Sequence, residues 1–490
     1  MRSLRFVAAL AISAQALIAQ QPAGRSSLSL DEAINIARQN NPNFLTTQSN
    51  VRVTTSQIRQ AYSALLPSVS SSFSTRYQQA GTQFVQGVAI GGGVSGDTYQ
   101  SAYGLNLNYF VSGAMAFAPR QARANRDAAD ADVASSAEAT RALVTNQYIA
   151  ALKSEAQASL ADSLVATATG QLDLANAKVK VGAGTIVDIR TAEVAVGQAQ
   201  VNQVISHNQA VIDKIRLFQF MGVPADTSVK LTTQFAISQP NFTLDSVLNV
   251  ARHVNPDVAA DESRRFAADM GVRTASMSYL PTLSVGTGWG GNSLSYADAN
   301  FLVTSRNNSI LSNAASCLSF DSLRTRVGLQ SLGCRTTVLS PDEATALKAT
   351  NNQFPFKFIR NPLSVGATLS FPIFNNYSRE AQLEQARVTR DNANYALKAR
   401  ALQLTTDVTS AYLSLIAAAK TVQLQEQTAQ KASEELAAVE ERYKVGAATF
   451  LEVTTSRGSY ETAQIGRVNS IYDYHTAFAN LESAVGRPLR

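Results

Sequence analysis

What most narrows the folds open to this chain is that it is written twice. Leu30-Asp31 recurs as Leu244-Asp245, Asn41-Pro42 as Asn255-Pro256 and Leu66-Pro67 as Leu280-Pro281, each 214 residues on. Farther along the spacing becomes 264: Leu105 with Leu369, Phe110 with Phe374, Tyr148 with Tyr412, and Gly222 and Pro224 with Gly486 and Pro488. One insertion of 50 residues in the second copy accounts for the change. A duplicated chain builds the same supersecondary unit twice. The first repeat is expected over 20–241 and the second over 242–490.

Within each copy the hydrophobic period changes twice. Residues 42–65 read as a helix opened by proline, whose missing N–H costs nothing at a first helical position. After Pro67, Val69, Phe73 and Tyr77 stand against serine and arginine, and Tyr103, Leu105, Leu107 and Tyr109 alternate with Gly104, Asn106 and Asn108. The second copy alternates at Leu283, Val285, Thr287 and Trp289, then at Leu363, Val365, Ala367, Leu369, Phe371 and Ile373. Four strands are expected, about 67–77, 101–111, 281–291 and 363–375, with a loop insertion about 292–362. One face of each is apolar and the other small or polar, the pattern of a transmembrane β-barrel with a polar lumen.

Long helices come next, roughly 114–179 and 379–443, each about 100 Å at ~1.5 Å per residue. In the second, Leu397, Ala401, Leu404, Val408, Ala411, Leu415, Ala418 and Val422 step by four and three, a heptad seam that predicts a coiled coil. Each long helix ends in one phrase, KVGAGTIVDI at 180–189 and KVGAATFLEV at 444–453. Gly182 and Gly446 fit the helix-stop position, with Lys180 and Lys444 in the last turn. A helix of about 35 residues then returns to Gly222 or Gly486, so the phrase is the tip of a helical hairpin, roughly 100 Å from the strands.

The N-terminus, MRSLRFVAALAISAQALIAQQ, carries two arginines, an apolar run and small residues. It reads as a secretory signal over 1–19, too short for a membrane span and without a cysteine for lipid attachment. No later segment reaches about 18 uninterrupted apolar residues, so an exported chain of this kind enters a membrane as strands. A net charge of +6 without a Lys/Arg stripe argues against a nucleic-acid partner. The low charged fraction, 16% against a typical ~25%, suits helices packed closely along their length.

Four strands cannot close a barrel, because the smallest membrane barrels have about eight and an open edge in lipid leaves backbone groups unsatisfied. Several chains must contribute, and three would supply twelve strands and six hairpins. The helices led by Asn41-Pro42 and Asn255-Pro256 are expected to stack end to end on the returning helices.

The duplicated order of helix, strand pair, long helix, KVGA-x-T-x-x-[DE] turn and return helix ending G-x-P resembles the outer membrane efflux protein family, the TolC type. The resemblance runs from about Leu28 to the end, apart from the insertion. It implies a mainly α fold with a transmembrane β-barrel. In this trimeric channel-tunnel, each protomer adds four strands to a 12-stranded barrel that continues into a long α-helical coiled-coil barrel. It implies an outer membrane location with the helical barrel in the periplasm, and passive export in a tripartite efflux or type I secretion system. The implied partners are a homotrimer, outer membrane lipid, a periplasmic adaptor and, through it, an inner-membrane transporter of the RND or ABC type. The docking tips fall on Val181, Gly182, Thr185, Ile186, Val445, Gly446, Thr449 and Phe450. The acids that line the family's constriction fall on Asp188 and Glu452; the position one turn after Glu452, acidic in some members, is Thr455 here. From the residues alone, Asp188 and Glu452 read equally as helix caps.

No catalytic chemistry is expected, and no cofactor or metal. GTGWGG at 286–291 fits a dinucleotide fingerprint in spacing only, since no helix follows it, and glycines on a lumen-facing strand read better. His207, His253 and His475 are isolated. Cys317 and Cys334, the only cysteines, lie in the insertion of an exported chain and are expected to pair outside the cell. Two alternatives stand beside the channel. One is a periplasmic adaptor with coiled-coil hairpins. The other is an exported hydrolase in the insertion, which offers no histidine.

Overall fold

The computed structural model describes residues 27–81, 83–85, 88–90, 96–237 and 241–489; the signal expected at 1–19 lies outside them. The first copy opens with β1 (Ser27–Leu28), α1 (Leu30–Asn40), α2 (Pro42–Ser63), β2 (Ser68–Gln78), β3 (Gln83–Val85), β4 (Val88–Ile90) and β5 (Thr98–Val111). It continues with α3 (Ala118–Lys180), α4 (Ile186–Met221) and β6 (Lys230–Leu231). The second copy contains α5 (Leu244–Val254), α6 (Pro256–Ser276) and β7 (Thr282–Tyr296), then α7 (Asn300–Arg326) and α8 (Pro341–Ala349) in the insertion. After β8 (Ile359–Arg360) and β9 (Ser364–Ser370) come α9 (Ser378–Lys444) and α10 (Phe450–Val485). The protein is mainly helical, and among the described residues no helix is long and apolar enough to cross a membrane.

The chain divides into two compact units, one formed by 27–56, 122–268 and 388–489, the other by Gln57–Gln121 and Asp269–Arg387. The helical unit holds two cores related by the duplication. The first centres on Ala33, Ala37, Val144, Tyr148, Leu217 and Met221, all buried. The second places Val247, Ala251, Val408, Leu481 and Val485 at the corresponding positions, with Tyr412 packed against them. Burying a large aliphatic side chain contributes about 1.5–3 kcal/mol, so each core anchors its own hairpin.

Both hairpins are antiparallel. Ser154 of α3 donates to the buried Asp213 of α4 and Lys214 pairs with Glu155, while Arg467 of α10 reaches Glu426 of α9. The heptad seam of α9 is buried at Leu404, Val408, Leu415 and Val422, and continues through Ala429, Ala432, Leu436 and Tyr443. Ala401, expected in the seam, is exposed.

The Asn-Pro pairs join short helices to returning ones. The Asn41 amide donates to the Phe220 carbonyl in the last turn of α4, and its Oδ1 accepts the N–H groups of Asn43 and Phe44. Asn255 repeats this with the Ala484 carbonyl of α10 and the amides of Asp257 and Val258. One side chain therefore caps the helix it opens and satisfies a carbonyl of the helix it abuts.

The other unit is built on an antiparallel sheet in the order β2-β5-β7, with β8 and β9 both on the far side of β7. Opposed pairs such as Phe73 with Tyr103, Leu105 with Trp289 and Thr287 with Val365 put the apolar residues on one face. Glycine, serine and asparagine take the other. Gly286 and Gly288 lie in this strand beside Asn108 and Asn106, so GTGWGG is part of a sheet and not a phosphate loop. β7 runs five residues beyond the expected 291, into the insertion. β9 stops at Ser370 instead of 375, since Pro372 has no N–H for a ladder. The insertion is largely helical, and Cys317 and Cys334 are disulfide-bonded across its first helix and the following loop.

Candidate docking tips

Each tip is a helix stop followed at once by a helix start. At the first, the N–H of Ala183 donates to the Lys178 carbonyl and that of Gly182 to Val179, at 2.9 and 3.0 Å. The second repeats this from Ala447 to Arg442 and from Gly446 to Tyr443. This pairing needs a left-handed residue, and Gly182 and Gly446 supply it at φ 76° and 83°. No atom lies within 4 Å of where a Cβ would sit on either glycine, so only backbone conformation selects them.

The restart is a capping box in both copies. Thr185 Oγ1 accepts from the Asp188 N–H while Asp188 Oδ2 accepts from the Thr185 N–H at 2.8 Å. Thr449 and Glu452 make the same exchange at 3.3 Å in each direction. These carboxylates stand at helix N-termini, where negative charge is favoured. One oxygen of each candidate constriction acid is thus engaged in its own turn.

The two tips differ in what they expose. Val181, Ile186 and Val445 are 78%, 60% and 80% exposed. Phe450, expected to match Ile186, is turned partly inward instead, its ring 5.8 Å from that of Tyr443. Leu451 and Val187, one residue farther on, are the more exposed apolar side chains, although neither stood out in the repeated phrase. The signal for them was present as the second apolar residue after Thr449 and Thr185.

Tyr443 links the tips within one chain. Lys178 Nζ, from the first hairpin, lies 4.8 Å over its ring, and its hydroxyl is buried without a hydrogen-bond partner among the described residues. Burial raises its pKa, and the negative charge of Asp188 raises it further. The phenol is therefore a neutral wedge between the two turns.

The sequence model of the outer membrane efflux protein family matches residues 33–223 and 344–487, more than half the chain. This chain belongs to the outer membrane efflux protein family. The two matched stretches contain both hairpins and both tips, and α7 with its disulfide lies between them. No curated protein matches the sequence.

The fold of this efflux protein is that of solved outer membrane channels. The outer membrane protein VceC of Vibrio cholerae superposes with TM-score 0.70 at 15% identity, covering 94% of this chain and 97% of its own. The CmeC outer membrane channel of Campylobacter jejuni gives 0.70 at 14%, covering 93% and 85%. The open state of the MtrE outer membrane channel of Neisseria gonorrhoeae gives 0.67 at 17%, covering 94% and 89%. Family membership displaces the adaptor alternative.

Proposed function

We propose that this efflux protein is the passive outer membrane duct of a tripartite efflux or type I secretion machine. It works as a homotrimer in the outer membrane with its helical barrel in the periplasm, and no reaction occurs in it. The observation that carries the reading is the open sheet: among the described residues β2 and β9 each have one neighbour, and both carry an apolar face. In lipid, every backbone group left unpaired on such edges costs several kcal/mol. Pairing β2 of one chain with β9 of the next removes both edges, and three chains close a twelve-stranded barrel.

Exposed apolar seams on the helices support the same assembly. Val187, Val194 and Val201 follow one another by sevens on α4, and Val204, three residues on, with Val211, seven beyond it, extends the stripe, all exposed. On α9, Val388, Tyr395 and Leu402 are exposed at the same spacing. Such stripes suit neighbouring helices of a second copy.

In this reading the six tips of a trimer dock a periplasmic adaptor through Val181, Gly182, Thr185, Ile186, Val445, Gly446, Thr449 and Phe450. The adaptor connects them to an inner-membrane transporter of the RND or ABC type. Asp188 and Glu452, beyond capping their helices, line the constriction. Light scattering of the purified protein in detergent is expected to give three chains per particle, and planar bilayers to show discrete conductance. A folded monomer that conducts ions would end the proposal.

A further inference from the structure

The apolar face of the sheet is not left bare at its far end. Residues 351–360, between α8 and β9, cross it as a strap. Asn351 exchanges two hydrogen bonds of 2.7 Å with the backbone of Tyr296, and the Phe354 N–H donates to Ser295 Oγ. Ser101 Oγ donates to the Pro355 carbonyl and meets Ser293 Oγ at 2.7 Å. Phe354 packs on Tyr99, Phe356 stacks on Phe73 and Phe358 meets Tyr103 edge-on at 4.8 Å. The strap then rejoins the sheet as β8, with Arg360 paired to Gly291 and Ile359 to Asn292; a Cβ on Gly291 would lie 2.7 Å from the Ile359 carbonyl and 2.8 Å from the Tyr103 ring.

The strap divides this face chemically. Beneath it are the serines at positions 101, 293 and 295, all more than nine-tenths buried. The rest of the face is Leu105, Leu107, Val285 and Trp289, a surface fit for acyl chains. The strap's own outer surface has Phe356 72% exposed, near the exposed Lys357 and Arg360. Neither cation makes an ion pair among the described residues.

Aromatic residues mark the rims of a membrane barrel, and long basic side chains there run along apolar surface to reach the headgroups. We infer that the 351–360 strap is a lipid-binding collar. Phe356 enters the acyl region of the outer leaflet while Lys357 and Arg360 together hold the phosphate of one lipid. The inference rests on the barrel reading above, because that reading turns the apolar face toward lipid. It adds a specific ligand class, a phosphate-bearing lipid, and the residues that select it.

The chain supplies its own reporter. Trp289 is the only tryptophan, is 49% exposed on the apolar face and touches Tyr103, which also meets Phe358. The trimer is reconstituted in vesicles of phosphatidylcholine containing a minor fraction of phosphatidic acid, with bromine on the chains of one lipid or the other. Brominated phosphatidic acid is expected to quench Trp289 with about tenfold or greater preference over its bulk fraction. Inorganic phosphate should not compete. In K357E/R360E the preference should vanish while quenching by brominated phosphatidylcholine is unchanged. Equal preference in the native protein and the variant would overturn the collar, as would competition by free phosphate. If neither brominated lipid quenches Trp289, the barrel reading itself has failed. A Gly291→Val variant, which lifts the strap without altering its charges, is expected to lose the preference too.

Discussion

The hydroxyl of Tyr148 donates to the carbonyl of Leu28 at 2.8 Å, and the duplication repeats the bond between Tyr412 and Phe242 at 3.3 Å. The tyrosines are 264 residues apart and their acceptors 214, so one contact survives on both sides of the inserted segment. Each ties a long helix to the chain that enters its copy. The copies are not equally finished. Tyr148 is fully buried and its oxygen also accepts the N–H groups of Thr232 and Thr233, at 3.1 Å each.

That asymmetry predicts unequal costs. Tyr148→Phe removes three hydrogen bonds from a dry site and should destabilise by about 1–3 kcal/mol, whereas Tyr412→Phe should cost ~1 kcal/mol or less. Thermal unfolding of the two variants in one detergent checks the order. Equal melting temperatures would mean that the hydroxyls do not lock the copies as described.

The left-handed glycines should separate folding from docking. At Gly222 a Cβ would sit 2.5 Å from the Asn40 carbonyl, so Gly222→Ala strains the junction where α2 abuts α4. Assembled protein in the outer membrane should fall. Gly182→Val with Gly446→Val meets open space and adds only the left-handed backbone penalty, about 1–2 kcal/mol at each site. Trimer should persist in that double variant, while adaptor cross-linking and export are lost. Wild-type export with trimer present would reduce the repeated phrase to a turn.

The Cys317–Cys334 bond closes a loop of 17 residues, a constraint worth about 3 kcal/mol in the chain-entropy model. The loop lies outside every paired strand. Serine at both positions should leave trimer yield unchanged while making residues 317–334 more sensitive to protease. Loss of the trimer would show that the insertion takes part in assembly.

Acid should loosen the adjoining segment. Hydrogen bonds from the Arg335 guanidinium, and then from the Ser340 N–H, lower the Glu343 pKa from 4.5 to about 2. A depressed carboxylate contributes stability in full above 4.5 and loses it as pH falls through about 2. Hydrogen exchange of 335–349, corrected for intrinsic rates, should accelerate across that window. Arg335→Gln should move the acceleration toward ordinary carboxylate pH. Rates that ignore pH in the native protein would remove this pair from the account of the insertion.

The sequence by itself determined the duplication, the order of elements and the two turns, because each is written in local chemistry. Alternation over a few residues specifies a strand face, a four-three step specifies a helix seam, and Gly182 with Thr185 and Asp188 specifies a stop and a capped restart. The tertiary structure alone decided which side chains those elements leave exposed. Phe450 faces inward because Tyr443 lies beside it, and Tyr443 is buried where Lys178 of the other hairpin covers its ring. No local period encodes that neighbour. The strap was equally hidden: Phe354, Phe356 and Phe358 alternate like a strand, yet they cross the sheet face because Ser101, Ser293 and Ser295 offer hydrogen bonds there and Gly291 leaves room. Those partners lie 59 or more residues away along the chain, so only the folded backbone brings them together.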